Sequence, residues 1–327
     1  MKTKTRDDIF LFLLMSFCFP LLSFADFSSG EKGTTSGQFL KIGVGARATG
    51  MGEAYSAIAD EASAIYWNPA ALIRINDYSA TFMHADLLGG ISYEFLGYAQ
   101  RLGDIGTFGM GFQYLSVPTI HETDSSGFET GVTVNPKDLA ISLAYSYPLK
   151  YLGVEKWSVG ISGKFIRCKI DKTASTFAAD VGVLSPSYSL SGKDVRVSFV
   201  IQNLGGKLKF AQDSEPLPLN VKLGSSLFIR QNWIAGLDLN FPKDNRLYAA
   251  VGTEYKFTSW ADWKFAGRLG FNSRTLGDVS GLNGLSIGAG VNFRFAELDY
   301  AFLPFGSIGI THRFSLTLTF GTSQSGN

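Results

Sequence analysis

The stretch "KDLAISLAYSYPL", residues 137–149, has a period of two, and that period decides the fold. In an extended chain Leu139, Ile141, Leu143, Tyr145 and Tyr147 share one face, while Asp138, Ala140, Ser142, Ala144 and Ser146 share the other. Further along, "DWKFAGRLGFN" (262–272) sets Trp263, Phe265, Leu269 and Phe271 against Lys264, Ala266, Arg268 and Gly270. "GLSIGAGVNFRF" (284–295) sets Leu285, Ile287, Val291, Phe293 and Phe295 against Ser286, Gly288, Gly290, Asn292 and Arg294. Such segments recur near 78–88, 91–102, 106–116, 137–148, 156–167, 175–185, 194–202, 219–229, 232–241, 245–257, 262–272, 284–295, 297–303 and 310–320. They number about fourteen and mostly run 9–12 residues, the reach of a tilted strand across a bilayer.

A soluble β-sandwich also alternates, with its apolar faces turned inward. Three observations favour lipid instead. The polar face is mostly Gly, Ala and Ser with isolated charges such as Lys164, Arg196, Asp238 and Arg268, whereas a soluble surface carries many Lys and Glu. Aromatics cluster at strand ends, as at Tyr147, Trp157, Phe241, Phe257 and Trp263, like the interfacial girdles of membrane barrels. The longest connections, 117–136, 203–218 and 273–283, follow odd-numbered segments, and the short "RLGDIG", "IRQN", "TSWA" and "RFAE" follow even-numbered ones. Long outer loops and short periplasmic turns give that rhythm. The expected fold is all-β: a transmembrane antiparallel β-barrel of about 14 strands. In such a barrel Arg at Leu316 or Ile287 meets lipid, and Arg at Ser315 or Ser286 is expected to be tolerated in the lumen.

The composition agrees. Charged residues are 17% of the 327, aromatics 14%, and there are 37 glycines. "MKTKTRDDIFLFLLMSFCFPLLSFAD" reads as a secretory leader, with basic residues, an apolar run over Ile9–Leu22, and small residues before a cut after Ala25. Taking Lys2, Lys4, Arg6, Asp7 and Asp8 from 29 basic and 28 acidic residues leaves 26 of each, so the mature chain offers no electrostatic footprint for nucleic acid. It retains one cysteine, Cys168, which excludes an internal disulfide. Nothing after residue 25 reaches the length of an apolar membrane helix.

Residues 26–77 precede the first strand and do not alternate. Within them "GVGARATGMGEAYSAIADEASAIYWNPAAL" (43–72) carries Gly43, Gly45, Gly50 and Gly52. Gly45 and Gly50 lie too far apart for a dinucleotide fingerprint, and no Lys-Ser/Thr follows for a phosphate loop. The glycines are read as close-packing positions. A barrel of about fourteen strands has a lumen its strand side chains cannot fill, so this small-residue segment is expected as a hatch inside it. The organisation is thus a leader, 1–25; an amino-terminal segment and hatch, 26–77; a barrel, 78–320; and a tail, 321–327. Gly109 and Gly111, lumen-facing within 106–116, mark the expected lateral opening, since glycine weakens a strand.

"FLKIGVGARATGMGEAYSAIADEASAIYWNPAAL" (39–72) closely resembles the amino-terminal signature of PorV/PorQ-type outer-membrane proteins, relatives of the FadL long-chain fatty-acid transporter. "ELDYAFLPFGSIGITHRFSLTLTF" (297–320) resembles their carboxy-terminal one. The resemblance implies a fourteen-stranded outer-membrane barrel of a diderm bacterium, inserted by the barrel-assembly machinery, with Asn68-Pro69-Ala70 in the hatch beside Arg47. It implies outer-membrane lipid as surroundings. The function it implies is passage or binding of hydrophobic small molecules, with a type IX secretion adaptor gripping cargo proteins, or a structural barrel, as alternatives. No cofactor and no catalytic or metal site is expected. His84, His121 and His312 are far apart in sequence, and Arg47, Glu53, Asp299 and Arg313 are expected to pair within the lumen.

Overall fold

The computed structural model describes residues 32–150, 156–210, 212–258 and 262–321. The expected leader and the tail beyond Gly321 lie outside the described residues. Fourteen antiparallel strands close into one ring: β1 (Tyr78–Asp86), β2 (Ser92–Arg101), β3 (Thr107–Ser116), β4 (Lys137–Pro148), β5 (Ser158–Lys169), β6 (Thr173–Leu184), β7 (Lys193–Gly205), β8 (Asn220–Arg230), β9 (Trp233–Pro242), β10 (Tyr248–Thr258), β11 (Trp263–Asn272), β12 (Leu285–Phe293), β13 (Ala296–Pro304) and β14 (Ile310–Phe320). Each strand pairs with the next, and β14 closes on β1 from Tyr78↔Phe320 to Asp86↔His312. Closure leaves no sheet edge to satisfy in hydrocarbon. Connections after odd strands carry two hairpins, Ile120–Thr123 with Glu129–Val134 and Lys207–Lys209 with Ser214–Pro216. Among the described residues no helix is long and apolar enough to cross a membrane.

The two faces of the wall are inverted relative to a soluble protein. Outward Phe177 and Leu143 are 70% and 65% exposed, while inward Asp238 and Arg268 are 1% and 2% exposed. Apolar surface on the outside is favourable only where the surroundings are themselves apolar. Aromatic rings gather where β1 begins: Phe320 stacks on Tyr78 at 4.7 Å and on Phe295 at 5.0 Å, and Trp263 packs on Phe293 at 4.5 Å. Trp157 corrects the girdle expectation. It is fully buried, edge-on to Tyr188 at 6.5 Å, because the β6–β7 connection folds back over that part of the wall.

The lumen is filled by the chain that precedes β1. Phe39, Met51, Tyr55, Ile58, Ile65, Trp67 and Leu72 of this inner segment form the main buried cluster with wall residues Met83 and Phe95. The segment folds as helix α1 (Ala46–Gly50), helix α2 (Ala64–Trp67), and tight turns over Gln38–Lys41 and Pro69–Arg74. Pro69 pushes Asn68 out of the helical region, to φ −164°, and so ends α2. Asn68 Oδ1 then accepts from Ala70 N at 3.0 Å and caps the following turn. Because the lumen is packed, inward positions are not wet. Ser286 Oγ accepts from Gly52 N at 3.0 Å and Ser315 Oγ from Ala46 N at 3.1 Å. Arg at either serine would displace the inner segment, which corrects the expected tolerance.

Candidate functional site: the inner segment and its wall

One side of the lumen is charged. Arg47, on α1, donates through Nε and Nη2 to Glu254 at 2.8 and 2.9 Å, and through Nη1 to Asp60 at 2.6 Å. Glu254 also takes Arg268 Nε at 2.7 Å, and Arg268 reaches Asp299 at 2.6 Å and Glu297 at 2.8 Å. Buried charges are tolerated when paired and hydrogen-bonded, and this network meets that condition. Asp238 receives Tyr55 N and Ser56 N at 3.2 and 3.1 Å and Ser56 Oγ at 2.8 Å. Arg313 Nη1 donates to Gly43 O at 2.6 Å, and Arg274 pairs with Glu53 at 3.3 Å. The expected lumenal residues are therefore all engaged, with Arg47, Glu53 and Asp299 in ion pairs and Arg313 on a backbone carbonyl.

Close approach explains the glycines. Gly45 sits at φ 81° ahead of α1, its N–H 3.0 Å from Met83 Sδ, and Gly52 at φ 66° lets the chain turn along β11. A Cβ on Gly50 would lie 3.0 Å from Gly288 Cα. At the end nearest the periplasmic turns, Asn68-Pro69-Ala70 lies on wall glycines Gly160 and Gly182. A Cβ on Gly160 would overlap the Pro69–Ala70 peptide, and one on Gly182 would overlap Asn68 Oδ1. Asn68 Nδ2 donates to Ser56 O at 3.0 Å, and Ala70 O accepts from Ser146 and Ser158 at 2.9 and 3.1 Å. At the opposite end, residues ahead of α1 are tied to outer loops: Lys32 to Asp278 at 2.7 Å, Ser36 to Glu215 at 2.5 Å, Lys41 to Asp244 at 2.9 Å, and Thr35 to Asp244. Burial alone would push the Asp244 carboxyl up. Hydrogen bonds from Thr35 and Lys41 outweigh that and hold it below the ordinary carboxylate range. Beneath this strap lies a cavity of about 30 Å³, lined by Lys222, Arg274, Gln202, Asn220 and Asn240 among others. It is water-sized, with these polar groups set among apolar Leu40, Trp67, Pro218 and Pro242.

Against the glycines of β3 the contact is instead apolar, although Gln113 of the same strand and the buried Lys164–Asp180 pair further round the wall are polar. Gly109 and Gly111 face Ile65 and Leu72; a Cβ on Gly109 would come 2.8 Å from Ile65 and 3.1 Å from Leu72. β3 is nonetheless paired from Thr107 to Ser116 with both neighbours, so the glycines leave the ladder intact and thin the wall instead. Directly outside is an apolar groove of about 470 Å³ lined by Tyr98, Phe108, Met110, Leu143, Tyr145 and Ile161. Sequence reasoning missed the partners on the wall, namely Asp238, Glu254, Gly160 and Gly182. It also set the three histidines apart, whereas closure of β14 on β1 brings His84 and His312 to one outer face.

A family model described as Type IX secretion system protein PorV matches residues 28–244, more than half of the chain. No curated protein matches it. Among solved structures, the P. putida toluene transporter TodX aligns at 12% identity and TM-score 0.56, over 86% of this chain and 99% of that one. The Ralstonia pickettii toluene transporter TbuX aligns at 12% and 0.54, over 85% and 99%. A TodX deltaS2S3 mutant, titled a monoaromatic hydrocarbon channel, aligns at 11% and 0.57, over 85% and 99%. At such identities the likeness is one of fold.

Proposed function

The chain belongs to the PorV family of type IX secretion system proteins, has the fold of the toluene transporters, and on those premises we propose that it binds or passes hydrophobic small molecules across the outer membrane. The observation that carries this reading is the wall at β3. There a glycine-thinned strand separates an outer apolar groove from apolar Ile65 and Leu72 of the inner segment. The inner segment, residues 39–72, acts as a hatch, with Gly43, Gly45, Arg47, Gly50, Gly52 and Asn68-Pro69-Ala70 fixing its position. In this reading Ile65 and Leu72 withdraw and the ladder of β3 parts beside Gly109 and Gly111, which opens an apolar route toward lipid, the lateral opening. The leader is cleaved after Ala25, and the barrel-assembly machinery inserts the mature chain.

The hatch can be pinned to test this. A Cβ on Gly111 would lie 3.2 Å from Ile65 Cγ2, so Gly111→Cys with Ile65→Cys, in a Cys168→Ser background, places a disulfide between hatch and β3. Uptake of a radiolabelled monoaromatic hydrocarbon by cells should fall when the pair is oxidised and recover on reduction. Equal uptake in both states would remove hatch movement from the mechanism.

A second reading, an adaptor that holds cargo proteins, is favoured by the hairpin between β3 and β4. Its Ile120, Phe128 and Val132 are exposed with no wall beneath them. Deleting 119–135 should abolish cargo secretion under this reading and leave uptake unchanged under the first.

A further inference from the structure

One lysine on the inner face of the wall touches an amide carbonyl and a carboxylate at once. Lys164 of β5 has its Nζ 2.7 Å from Asn203 Oδ1 on β7 and 2.7 Å from Asp180 Oδ2 on β6. The side chains of Lys164 and Asp180 are 2% and 0% exposed. Three neighbouring strands thus bring an amine, an acid and a primary amide to one dry point.

A bulge makes the meeting. Ile201 pairs with Val181 and Leu204 with Ala179, so Gln202 and Asn203 both stand opposite Asp180. Asn203 takes φ 59°, and its N–H donates to Asp180 Oδ1 at 2.8 Å. Its Nδ2 donates to Pro218 O at 3.0 Å, which fixes the amide with Oδ1 toward Lys164. Asp180 Oδ2 is buried with no aligned hydrogen bond, so charge alone holds it against Nζ. A buried ion pair so incompletely hydrogen-bonded does not recover its desolvation. An ion pair needs only Lys164 and Asp180; the bulge adds an electrophile, the carboxamide of Asn203.

We propose that Lys164 and Asn203 join in an isopeptide bond made by the folded barrel itself, with Asp180 as the acid–base residue. Nζ gives one proton to Asp180 Oδ2, and the freed lone pair attacks Asn203 Cγ, the atom bonded to Oδ1. Nδ2 leaves with its own two protons and a third handed over by Asp180, and Nζ then gives its second proton to Asp180. The Nζ–Cγ bond forms, the Cγ–Nδ2 bond breaks, ammonia departs, and Asp180 is left as the neutral acid. No oxidant or reductant takes part. An amide and an uncharged carboxyl replace the ion pair, so two buried charges disappear. Contact among groups fixed by the fold supplies the effective concentration. Asn203 and Pro218 both line the water-sized cavity beneath the outer strap, which gives ammonia, a molecule of similar size, its exit. The bond staples β5 to β7 across β6, at the root of the connection whose Glu215 holds Ser36. It does not depend on what crosses the barrel.

Tryptic peptide mapping by mass spectrometry, on the full chain purified from outer membranes, reads the bond directly. The expected result is a branched peptide joining the Lys164 and Asn203 segments, uncut at Lys164 and lighter by one ammonia than its two parts. Lys164→Arg keeps a cation beside Asp180 and should return both peptides to linear form with the ammonia retained. Asp180→Asn should cut the branched fraction at least ten-fold, with heat-modifiable migration on detergent gels showing that each variant has folded. Linear peptides alone from the folded unmodified chain would overturn the proposal, and that result needs no variant. Cyclisation of Asn203 on its own backbone also loses ammonia, but it gives no branch and survives Lys164→Arg; that outcome would overturn it too. So would a branch through another lysine, or one indifferent to Asp180→Asn.

Discussion

The two sides of the lumen hold the same inner segment by different physics. Toward β9–β14, its backbone and Arg47 meet Asp238, Glu254 and Arg313 through short, directed hydrogen bonds. Toward β3, Ile65 and Leu72 meet glycines across van der Waals contacts that have no preferred direction. The charged side fixes register, since a shift of one residue strands a buried charge. The apolar contact at β3 fixes little beyond volume, and parting Ile65 and Leu72 from it costs mainly apolar burial, with the Ser146 and Ser158 bonds to Ala70 O as the nearby directed ties. A hatch latched on one side and smooth on the other moves away from β3 before it moves away from Glu254.

Breaking the latch should have the largest effect. Glu254→Ala leaves Arg47 and Arg268 without their shared carboxylate, and loss of one partner of a buried pair costs about 3–5 kcal/mol. Hydrogen exchange should then rise across 43–72 while strand amides stay protected; unchanged exchange would make the network incidental. Gly109→Ala should have a smaller effect, about 1–3 kcal/mol from overpacking against Ile65. Ile65→Val in the same chain should relieve it, and a lack of relief would place the contact elsewhere. The smallest effect concerns the outer strap. Because the Asp244 pKa is depressed on folding, its contribution is present above the ordinary carboxylate pKa of about 3.9 and is lost as pH falls through the lowered value. With Lys41 30% exposed, the loss should stay under ~1 kcal/mol. Limited proteolysis at Lys41 should accelerate as pH falls through the lowered Asp244 value, and Asp244→Asn should remove that dependence.

The barrel was legible because lipid imposes a rule on every strand. Leu143, Ile287 and Leu316 must alternate with small or polar neighbours wherever they stand, so local pattern suffices. The inner segment obeys no such period. Its glycines and Asn68-Pro69 can be read as close packing and a turn, but Arg47 finds Glu254 across 207 residues, and Ser56 finds Asp238 across 182. No local spacing encodes those meetings, and the lumen's dryness, which makes Ser286 and Ser315 packing positions, follows from them. Trp157 went astray for a related reason: the β6–β7 connection covers it, and alternation says nothing about what a turn folds over.

That the inner segment seals the lumen is tested most directly by single-channel recording in planar bilayers, comparing the intact chain with one lacking residues 39–72. The intact barrel should be closed at moderate voltage, since its described lumen is packed by buried side chains from Phe39 to Ile75. The shortened barrel, with heat-modifiable migration on gels confirming that it has folded, should show a large and unselective conductance, because Asp238, Glu254, Arg268 and Arg313 would then line water. Identical conductance in the two would contradict the seal.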